Sequence, residues 1–466
     1  MKTADTLMLT ISGIRGIIGD SLTPEIVCKY VSSFAGLQLS KHIGEEIILG
    51  YDTRPAVGWI KSCTVGALVS CGIKVVDIGV VPTPTVQLIV QNKKAIGGIV
   101  ITASHNPQEW CGLKFIENNG IFLDQTNCDD MFACKKTIFA PHNRLGSVIE
   151  YKNAIMDHID QILSLKYIDI ELIRQQHFKV VVDTINGAGS FAIPCLLKEL
   201  GCVVTELNTE PTGLFAHLPE PIPENLKQLS EKCHGNDIGI AIDPDSDRCV
   251  LIDENGCPLV EEYTLALSVH LLLNYYGIKQ PVCRNISTTR AIDDICLKAG
   301  VMCYGTAIGE VNVAVKMVEV GSIIGGEGNG GVMLADIHIG RDALVATALV
   351  LQLFALQRQM NSAVTISQIK ASLPQWRISK MKIPIKKGCD VNFLISKWKE
   401  SIIETYGNTV SLVEDDGLRV DHQDWWVHVR KSNTEPIVRV IGEGCDQKRA
   451  DEVCTRVFNE FMVLMN

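Results

Sequence analysis

The sequence predicts an α/β protein built from several domains, and three observations lead to this expectation. The chain has 466 residues, which at roughly 150 residues per domain corresponds to three or four domains. Over the first three quarters, short apolar runs typical of buried strands alternate with longer helical patterns, as in α/β units with mixed or parallel sheets. After Leu373-Pro374-Gln375 the pattern changes to shorter strands and one terminal helix, as in a small α+β module.

Local patterns predict the individual elements in order. The first long helix is expected over 23–39, because Thr23 is a good N-cap and Pro24 suits the first turn. The polar helical stretch 151–176 is expected to connect to the strand that follows it. Buried strands are predicted at 46–49, 98–102, 178–182 and 237–242, and strands of the last module at 377–385, 417–420, 425–430 and 437–441.

Domain boundaries are expected near 150, 255 and 375. The middle boundary follows a turn signal, Asp253-Glu254-Asn255-Gly256. The predicted domains are therefore 1–150, 151–255, 256–375 and 376–466. Neither fixed-period repeats nor low-complexity segments interrupt this division.

Composition and charge exclude several classes of function. A net charge of −10 argues against general nucleic-acid binding, which needs a basic face. The longest apolar-rich run, 343–356, is too short to span a bilayer and no signal peptide is visible, so we expect no membrane association. Seventeen cysteines, an odd number without any CxxC pair, predict reduced thiols packed as small hydrophobic side chains in a cytoplasmic protein, not a zinc site.

The first candidate site follows the strand at 98–102 and reads Thr102-Ala103-Ser104-His105-Asn106-Pro107. A serine at a strand-to-loop junction is placed to be an exposed nucleophile. A hydrolase elbow is excluded because glycines are absent on both flanks. His105 is a second catalytic candidate, although its adjacency predicts a side chain directed away from the hydroxyl. The following turn can return the Lys114 ammonium toward Ser104, whereas the alternative is an ordinary turn with a solvated lysine.

The second candidate site is a loop with three alternating aspartates, Asp243-Pro244-Asp245-Ser246-Asp247-Arg248. Such carboxylates repel one another unless a hard cation lies among them, and an all-oxygen ligand set favours Mg²⁺ over zinc. An EF-hand is disfavoured because Arg248 stands at its sixth position, where glycine is needed, and the flanks look like strands. An aspartyl phosphatase would have a small hydroxyl or aliphatic residue in place of Asp247. A solvated acidic turn remains the alternative.

The third candidate site is the glycine-rich stretch Gly325-Gly326-Glu327-Gly328-Asn329-Gly330-Gly331. It formally contains GxGxxG, but the residues after it look like a strand and not the helix that dinucleotide binding requires. Glycines around Glu327 and Asn329 instead suggest two polar side chains that project from a tight loop and bond vicinal sugar hydroxyls. A purely structural hairpin is the alternative.

The fourth candidate site is Arg430-Lys431-Ser432-Asn433-Thr434-Glu435-Pro436, with Arg439 on the next strand. Hydroxyls, an amide, consecutive backbone N–H groups and guanidinium groups together suit a phosphate monoester. A capped turn with surface arginines is the alternative.

The four loops together supply the groups needed to transfer a phosphoryl group to and from a phosphorylated sugar. In their order and in further motifs, the chain resembles the α-D-phosphohexomutases, the superfamily of phosphoglucomutases, phosphomannomutases and phosphoglucosamine mutases. The resemblance covers nearly the whole length. The further motifs are Ser12-Gly13-Ile14-Arg15-Gly16, Asp52-Thr53-Arg54, Val81-Pro82-Thr83-Pro84-Thr85, Asn186-Gly187-Ala188-Gly189 and Gly309-Glu310.

The resemblance implies four domains around a central cleft, the first three sharing one topology and the last smaller and mobile. It implies that Ser104 carries a phosphoryl group and that one Mg²⁺ is held by a phosphoserine oxygen with Asp243, Asp245 and Asp247. Arg15 and Lys114 would flank the phosphoryl group. Lys114 would be the general acid/base, and Arg15, Arg248 and Mg²⁺ are expected to lower its pKa.

For the substrate, the resemblance implies binding by side chains of the remaining loops. Arg248 would contact the substrate, and Gly309, Glu327 and Asn329 would bind the sugar. The phosphate that is not transferred would be held by Arg430, Ser432, Asn433, Thr434 and Arg439. A sugar 1- or 6-phosphate would become a bound hexose 1,6-bisphosphate, which turns end for end and returns its other phosphate to Ser104.

Three residues depart from the family's usual pattern: Cys111, Asn329 and Gly331. The last two lie in the sugar loop, which together with 338–342 looks most like archaeal-type phosphoglucosamine mutases. We therefore expect conversion of glucosamine 6-phosphate to glucosamine 1-phosphate, with phosphoglucomutase or phosphomannomutase activity as the alternative and a non-catalytic sugar-phosphate-binding regulator as a remote one. The expected partners are a phosphorylated sugar and, at most, a second copy of the chain (monomer or homodimer).

Overall fold

A computed structural model describes residues 6–385, 389–432 and 437–465, whose strands form four sheets. The first sheet has seven strands, and four helices pack with it. These elements are β1 Met8–Thr10, β2 Gly13–Ile17, α1 Pro24–Lys41, β3 Glu46–Tyr51, α2 Val57–Ser70, β4 Lys74–Val80, α3 Thr83–Lys93, β5 Gly97–Ile101, β6 Trp110–Glu117, α4 Gln125–Phe132 and β7 Val148–Glu150. The strand order is β1-β2-β6-β5-β3-β4-β7.

The second sheet has four strands in the order β11-β10-β8-β9. Two helices lead into it from the first sheet, where the sequence predicted one polar connector. The elements are α5 Ala154–Leu163, α6 Ile170–Gln176, β8 Lys179–Asp183, α7 Gly189–Glu199, β9 Val203–Leu207, α8 Lys227–Cys233, β10 Ile238–Ile242 and β11 Cys249–Ile252.

The third sheet also has four strands, in the order β13-β12-β14-β15. Its first helix continues into a π-helical turn at Leu271–Tyr275. The elements are α9 Glu262–His270, β12 Val282–Asn285, α10 Ala291–Ala299, β13 Cys303–Thr306, α11 Glu310–Val320, β14 Ile324–Glu327, β15 Gly331–Leu334, α12 Ala343–Met360 and α13 Ile366–Ser372.

The fourth sheet is antiparallel throughout, with the order β16-β20-β19-β18-β17. Its elements are β16 Arg377–Pro384, α14 Val391–Tyr406, β17 Ser411–Val413, β18 Leu418–Asp421, β19 Trp425–Lys431, β20 Ile437–Gly444 and α15 Gln447–Leu464. The prediction of a single helix here is wrong, because α14 is a second one. It buries Leu394, Trp398 and Ile402 against the sheet.

One strand pattern occurs three times. In each of the first three sheets, two parallel βαβ crossovers lead to a strand that turns back as an antiparallel hairpin: β5–β6, β10–β11 and β14–β15. Parallel neighbours need a helical crossover, which explains the alternation seen in the sequence. The predicted fold class is confirmed, and each repeat places one hairpin loop at the same end of its sheet.

The apolar helix α12 packs against elements of two sheets, including β11 and β15. By length and composition it is the one described helix that could cross a membrane, with a mean hydropathy of 1.3, but 72% of it is buried inside the protein. Its Phe354 stacks on Phe178 with ring centroids 4.6 Å apart. Through such contacts the second and third sheets share one hydrophobic core.

Candidate active site

The three hairpin loops meet at one cavity of about 380 Å³. The β5–β6 loop brings His105, the β10–β11 loop brings Arg248, and the β14–β15 loop brings Asn329. The fourth sheet closes the cavity with Arg430 and Ser432 from the end of β19. Equivalent positions in three repeats therefore converge on one space.

Ser104 is held in a constrained backbone conformation at this cavity. Its φ of 48° lies in the left-handed region, which non-glycine residues rarely occupy. Its Oγ donates a hydrogen bond of 3.0 Å to Asp243 Oδ2, and its backbone N–H donates to Thr102 Oγ1. The sequence predicted an exposed nucleophile, but the residue is only 1% exposed and faces the aspartate loop.

His105 also differs from expectation. Its Nδ1 lies 3.3 Å from Ser104 Oγ, so the prediction that its side chain points away is wrong. The left-handed backbone at position 104 turns the two adjacent side chains to the same side. Burial, with Arg248 and Arg15 nearby, lowers the pKa of His105 well below its usual value and keeps the imidazole neutral.

Arg54, which is 1% exposed, holds the Ser104 loop in place through hydrogen bonds. Its guanidinium donates to the carbonyl oxygens of Ser104, Asn106, Pro107 and Trp110 at 2.6–2.8 Å. Its Nε contacts Asp52 Oδ2 at 3.2 Å. One side chain thus satisfies four carbonyls of an irregular loop, which explains how the loop keeps its shape.

The aspartate loop presents three carboxylates that are 0% exposed. One potential ligand atom from each of Asp243, Asp245 and Asp247 lies within 4.8 Å of the others. Asp243 Oδ1 accepts the backbone N–H groups of Asp247 and Arg248, both at 3.1 Å. Asp245 Oδ2 accepts from Thr83 Oγ1 at 2.7 Å.

Three oxygens in this loop have no hydrogen-bond partner among the described residues: Asp245 Oδ1, Asp247 Oδ1 and Ser246 Oγ. Buried carboxylate oxygens are rarely left without a partner. Burial, followed by repulsion from Asp247 and Asp245, raises the pKa of Asp243 well above its usual value. Orphaned oxygens within a compact, all-oxygen set fit Mg²⁺.

Lys114 contacts this loop directly. Its Nζ lies 2.6 Å from Asp245 Oδ2 and 3.1 Å from Asp247 Oδ2. Burial lowers the pKa of Lys114, but the two carboxylates outweigh it and the net shift is upward. The direction is opposite to the predicted one, because the charges of the aspartates and of Glu310 outweigh burial and the nearby cation of Arg341.

The two predicted arginines of this region also lie at the cavity. Arg15 Nη1 donates to Asn106 Oδ1 at 2.8 Å, next to the Ser104 loop. Arg248 lies between Asp247 and Glu220, at 3.6 and 3.8 Å. Both cations line the same cavity as His105 and Lys114.

Glu327 is enclosed by donors from four positions. Its Oε1 accepts from Asn285 Nδ2 at 2.8 Å and from the backbone N–H of Gly309 at 3.0 Å. Its Oε2 lies 2.6 Å from Arg341 Nη1 and 3.4 Å from Asn329 Nδ2. Because a carboxylate offers about four acceptor positions, any further donor would have to displace one of these four.

The predicted phosphate site is described in part. Arg430 and Arg439 pair directly across β19 and β20, and Arg439 Nε contacts Ser432 Oγ at 3.4 Å. Arg430 and Arg439 both line the cavity, so their two positive charges lie at one end of the same space. The predicted residues Asn433 and Thr434 lie outside the described residues.

Models of the phosphoglucomutase/phosphomannomutase family match four parts of the chain. The α/β/α domains I, II and III match residues 8–138, 156–256 and 261–375, and the C-terminal domain matches residues 398–460. The chain belongs to this family. It is a phosphohexomutase, an isomerase of the phosphotransferase type.

Individual relatives span nearly the full length of this family member. A phosphoglucomutase/phosphomannomutase of Thermococcus kodakarensis is 36% identical over 94% of this chain and 95% of its own. A probable phosphoglucosamine mutase of Pyrococcus abyssi is 32% identical over 95% of each chain. A solved family protein of Burkholderia thailandensis has the same fold, with a TM-score of 0.83, 24% identity and coverage of 98% and 99% of the two chains.

Sequence reasoning missed several residues of this mutase site. Arg54, Thr83 and Arg341 contact the loops that were predicted, yet none was a candidate. Arg54 and Thr83 lie in motifs that were read only as signs of family membership, and Arg341 was read as a marker of the subfamily. A signal was present for Arg341, because a lone arginine in a mostly apolar stretch is expected to have a buried acidic partner.

Proposed function

We propose that this phosphohexomutase interconverts glucosamine 6-phosphate and glucosamine 1-phosphate through a phosphorylated Ser104. The hydrogen bond from Ser104 Oγ to Asp243, beside two orphaned aspartate oxygens, carries the proposal. It puts the hydroxyl that would bear the phosphoryl group against the candidate Mg²⁺ ligands. When bound, Mg²⁺ would supply charge neutralisation of the transferring group.

In the transfer step, the free sugar hydroxyl forms a bond to phosphorus while the bond between phosphorus and Ser104 Oγ breaks. The proton released by the sugar hydroxyl ends on Ser104 Oγ. Neutral His105, 3.3 Å from that oxygen, is placed to relay it. Lys114, whose Nζ lies 2.6 Å from Asp245 Oδ2 and 3.1 Å from Asp247 Oδ2, is the proposed general acid/base and adds positive charge beside the transferring group.

The second half of the reaction reverses this step with the other phosphate. The hexose 1,6-bisphosphate turns end for end, and Arg430, Ser432 and Arg439 hold whichever phosphate is not reacting. Asn433 and Thr434 complete this phosphate site in the proposal. Recognition of a dianion by convergent donors does not depend on the sugar carbon to which it is attached.

The glucosamine assignment is supported by acidic groups in the cavity and by relatives. Glu220 and Asp416 line the cavity and can face the ammonium group of an amino sugar. The Pyrococcus abyssi relative is a probable phosphoglucosamine mutase, and one of Sulfurisphaera tokodaii is a phosphoglucosamine/phosphogalactosamine mutase. The Thermococcus kodakarensis relative favours the second candidate, activity on glucose or mannose phosphates. We further propose a cytoplasmic monomer or homodimer, in keeping with its 17 free cysteines.

Incubation with a hexose 1,6-bisphosphate tests the proposed chemistry. Intact-protein mass is expected to rise by one phosphoryl group in the wild type and to stay unchanged in Ser104→Ala, which also loses turnover. Absence of the mass gain in the wild type would support the non-catalytic regulator instead. The ratio of kcat/KM for glucosamine, glucose and mannose phosphates then decides the sugar, and a higher value for glucose or mannose contradicts the first assignment.

A further inference from the structure

Arg341 lies between the aspartate loop and the sugar loop, and nothing in its sequence motif assigns it a role. It is 8% exposed and lines the cavity. Its Nη2 lies 2.6 Å from Asp247 Oδ2, its Nη1 2.6 Å from Glu327 Oε2, and its Nε 3.1 Å from Glu310 Oε2. One guanidinium therefore contacts three buried carboxylates from three separate segments.

The contact with Asp247 fixes which carboxylate oxygen is available. Arg341 and Lys114 both bind Oδ2. Oδ1 has no hydrogen-bond partner and lies 3.6 Å from Arg248 Nε. Because a carboxylate is planar, two cations that hold Oδ2 restrict the directions open to Oδ1, and Oδ1 stays available to ligate an ion.

The contact with Glu327 fixes the sugar loop in the same way. Arg341 holds Oε2, while Asn285 and Gly309 hold Oε1. A lysine has no planar fork and cannot hold two carboxylates at these two fixed angles.

Gly331 provides an independent sign that the fold makes room for this arginine. A Cβ on Gly331 would lie 2.3 Å from Arg341 Cδ and 2.8 Å from its Cγ. Its φ is not in the left-handed region, so backbone conformation does not require glycine there. The space at Gly331 is filled by the arginine side chain.

We propose that Arg341 is a positioning residue that fixes the aspartate loop and the sugar loop relative to each other, so that Mg²⁺ binding and sugar binding both depend on it. The part of this proposal that concerns sugar binding rests on the proposed function. The part that concerns Mg²⁺ binding rests only on the aspartate cluster.

Arg341→Lys tests the proposal because it keeps the positive charge and removes the planar guanidinium group that contacts several carboxylates. Calorimetric titration with Mg²⁺ alone is expected to show about tenfold weaker binding, the lower end of the range for residues that orient metal ligands. At saturating Mg²⁺ we expect a raised KM for the sugar phosphate. Arg358→Lys is the matched control, since Arg358 pairs with Asp237 and stacks on Phe178 away from the cavity.

Gly331→Ala gives a second test if Arg341→Lys does not fold. Its methyl group displaces Arg341 and is expected to weaken Mg²⁺ binding several-fold, whereas Gly66→Ala, where a Cβ meets no atom within 4 Å, should leave it unchanged. Mg²⁺ affinity within twofold of the wild type in every folded variant, or an equal loss in Arg358→Lys, would overturn the proposal. A wild type that gains no phosphate refutes the proposed function but leaves the Mg²⁺ result to be judged separately.

Discussion

Replacement of Arg54 by methionine removes the guanidinium from beneath the Ser104 loop while keeping a long, unbranched side chain. Four carbonyl oxygens lose their donor, and the buried carboxylate of Asp52 loses its cation. Two hydrogen bonds to that carboxylate remain, from Thr102 Oγ1 to Oδ2 at 2.7 Å and from the backbone N–H of residue 54 to Oδ1 at 2.9 Å. The loop then has less to hold Ser104 at its left-handed φ.

The expected magnitude follows from these contacts. Removing one partner of a buried ion pair costs about 3–5 kcal/mol. This is a large part of the roughly 5–15 kcal/mol that stabilises a typical native protein. For the chemistry, a displacement of about 1 Å at a reacting atom can cost about 100-fold in rate. We therefore expect a lower Tm and an approximately 100-fold slower phosphorylation of Ser104.

Two measurements separate a change confined to the Ser104 loop from a loss of overall stability. Hydrogen exchange should show lost protection of the loop amides, including the one that Asn106 donates to Ala103 O. Time-resolved intact mass gives the phosphorylation rate. Arg144→Met, at an exposed position shortly before β7 of the same sheet, is the control. A folded Arg54→Met protein with normal loop protection and a rate within threefold of the wild type would refute the reasoning.

Three further predictions follow from other contacts. Burial lowers the pKa of His428 to about 4, so the unfolded chain binds more protons than the folded one between pH 6.5 and 4. The unfolding free energy should therefore fall by up to about 3 kcal/mol as the pH drops through this window. Calorimetry should find a smaller fall in His428→Asn. Mg²⁺ at about 100 times its Kd should add about 2.7 kcal/mol of stability, seen as a raised Tm that EDTA reverses; an unchanged Tm would count against the site. Gly328→Ala should cost about 1–3 kcal/mol, because its Cβ would lie 2.0 Å from Glu262 Oε2; a Tm equal to that of the wild type would contradict this.

The alternation of strands and helices was readable from the sequence because βαβ crossovers impose it. Element α1 begins at Pro24 after the predicted N-cap Thr23, and the strand at 46–49 extends to Tyr51. Helix α14 was missed because its apolar residues are separated by lysines and glutamates, so its buried face appears only when the sheet beneath it is known. The domain boundaries near 150, 255 and 375 stay predictions.

Sequence motifs identified residues of the site but did not show how neighbouring charges shift the pKa values of these residues. Ser104, Arg248 and Glu327 do meet at one cavity or directly beneath it. The upward pKa shift of Lys114 depends on two aspartates more than 130 positions away, a distance that only the fold closes. The position of His105 depends on the unusual backbone of its neighbour, which no residue pattern indicated.

The distribution of hydrophobic cores bears on how a product can leave. The second and third sheets share one apolar interior, so separating them would expose it to water at a high free-energy cost. The C-terminal sheet keeps a separate interior around Trp398 and Phe461 and meets its neighbour through polar contacts such as Ser287 with His428. Displacing the C-terminal sheet would break few apolar contacts, so we expect the product to leave on that side. Substitutions at the polar contacts between this sheet and its neighbour should then change the rate of product release.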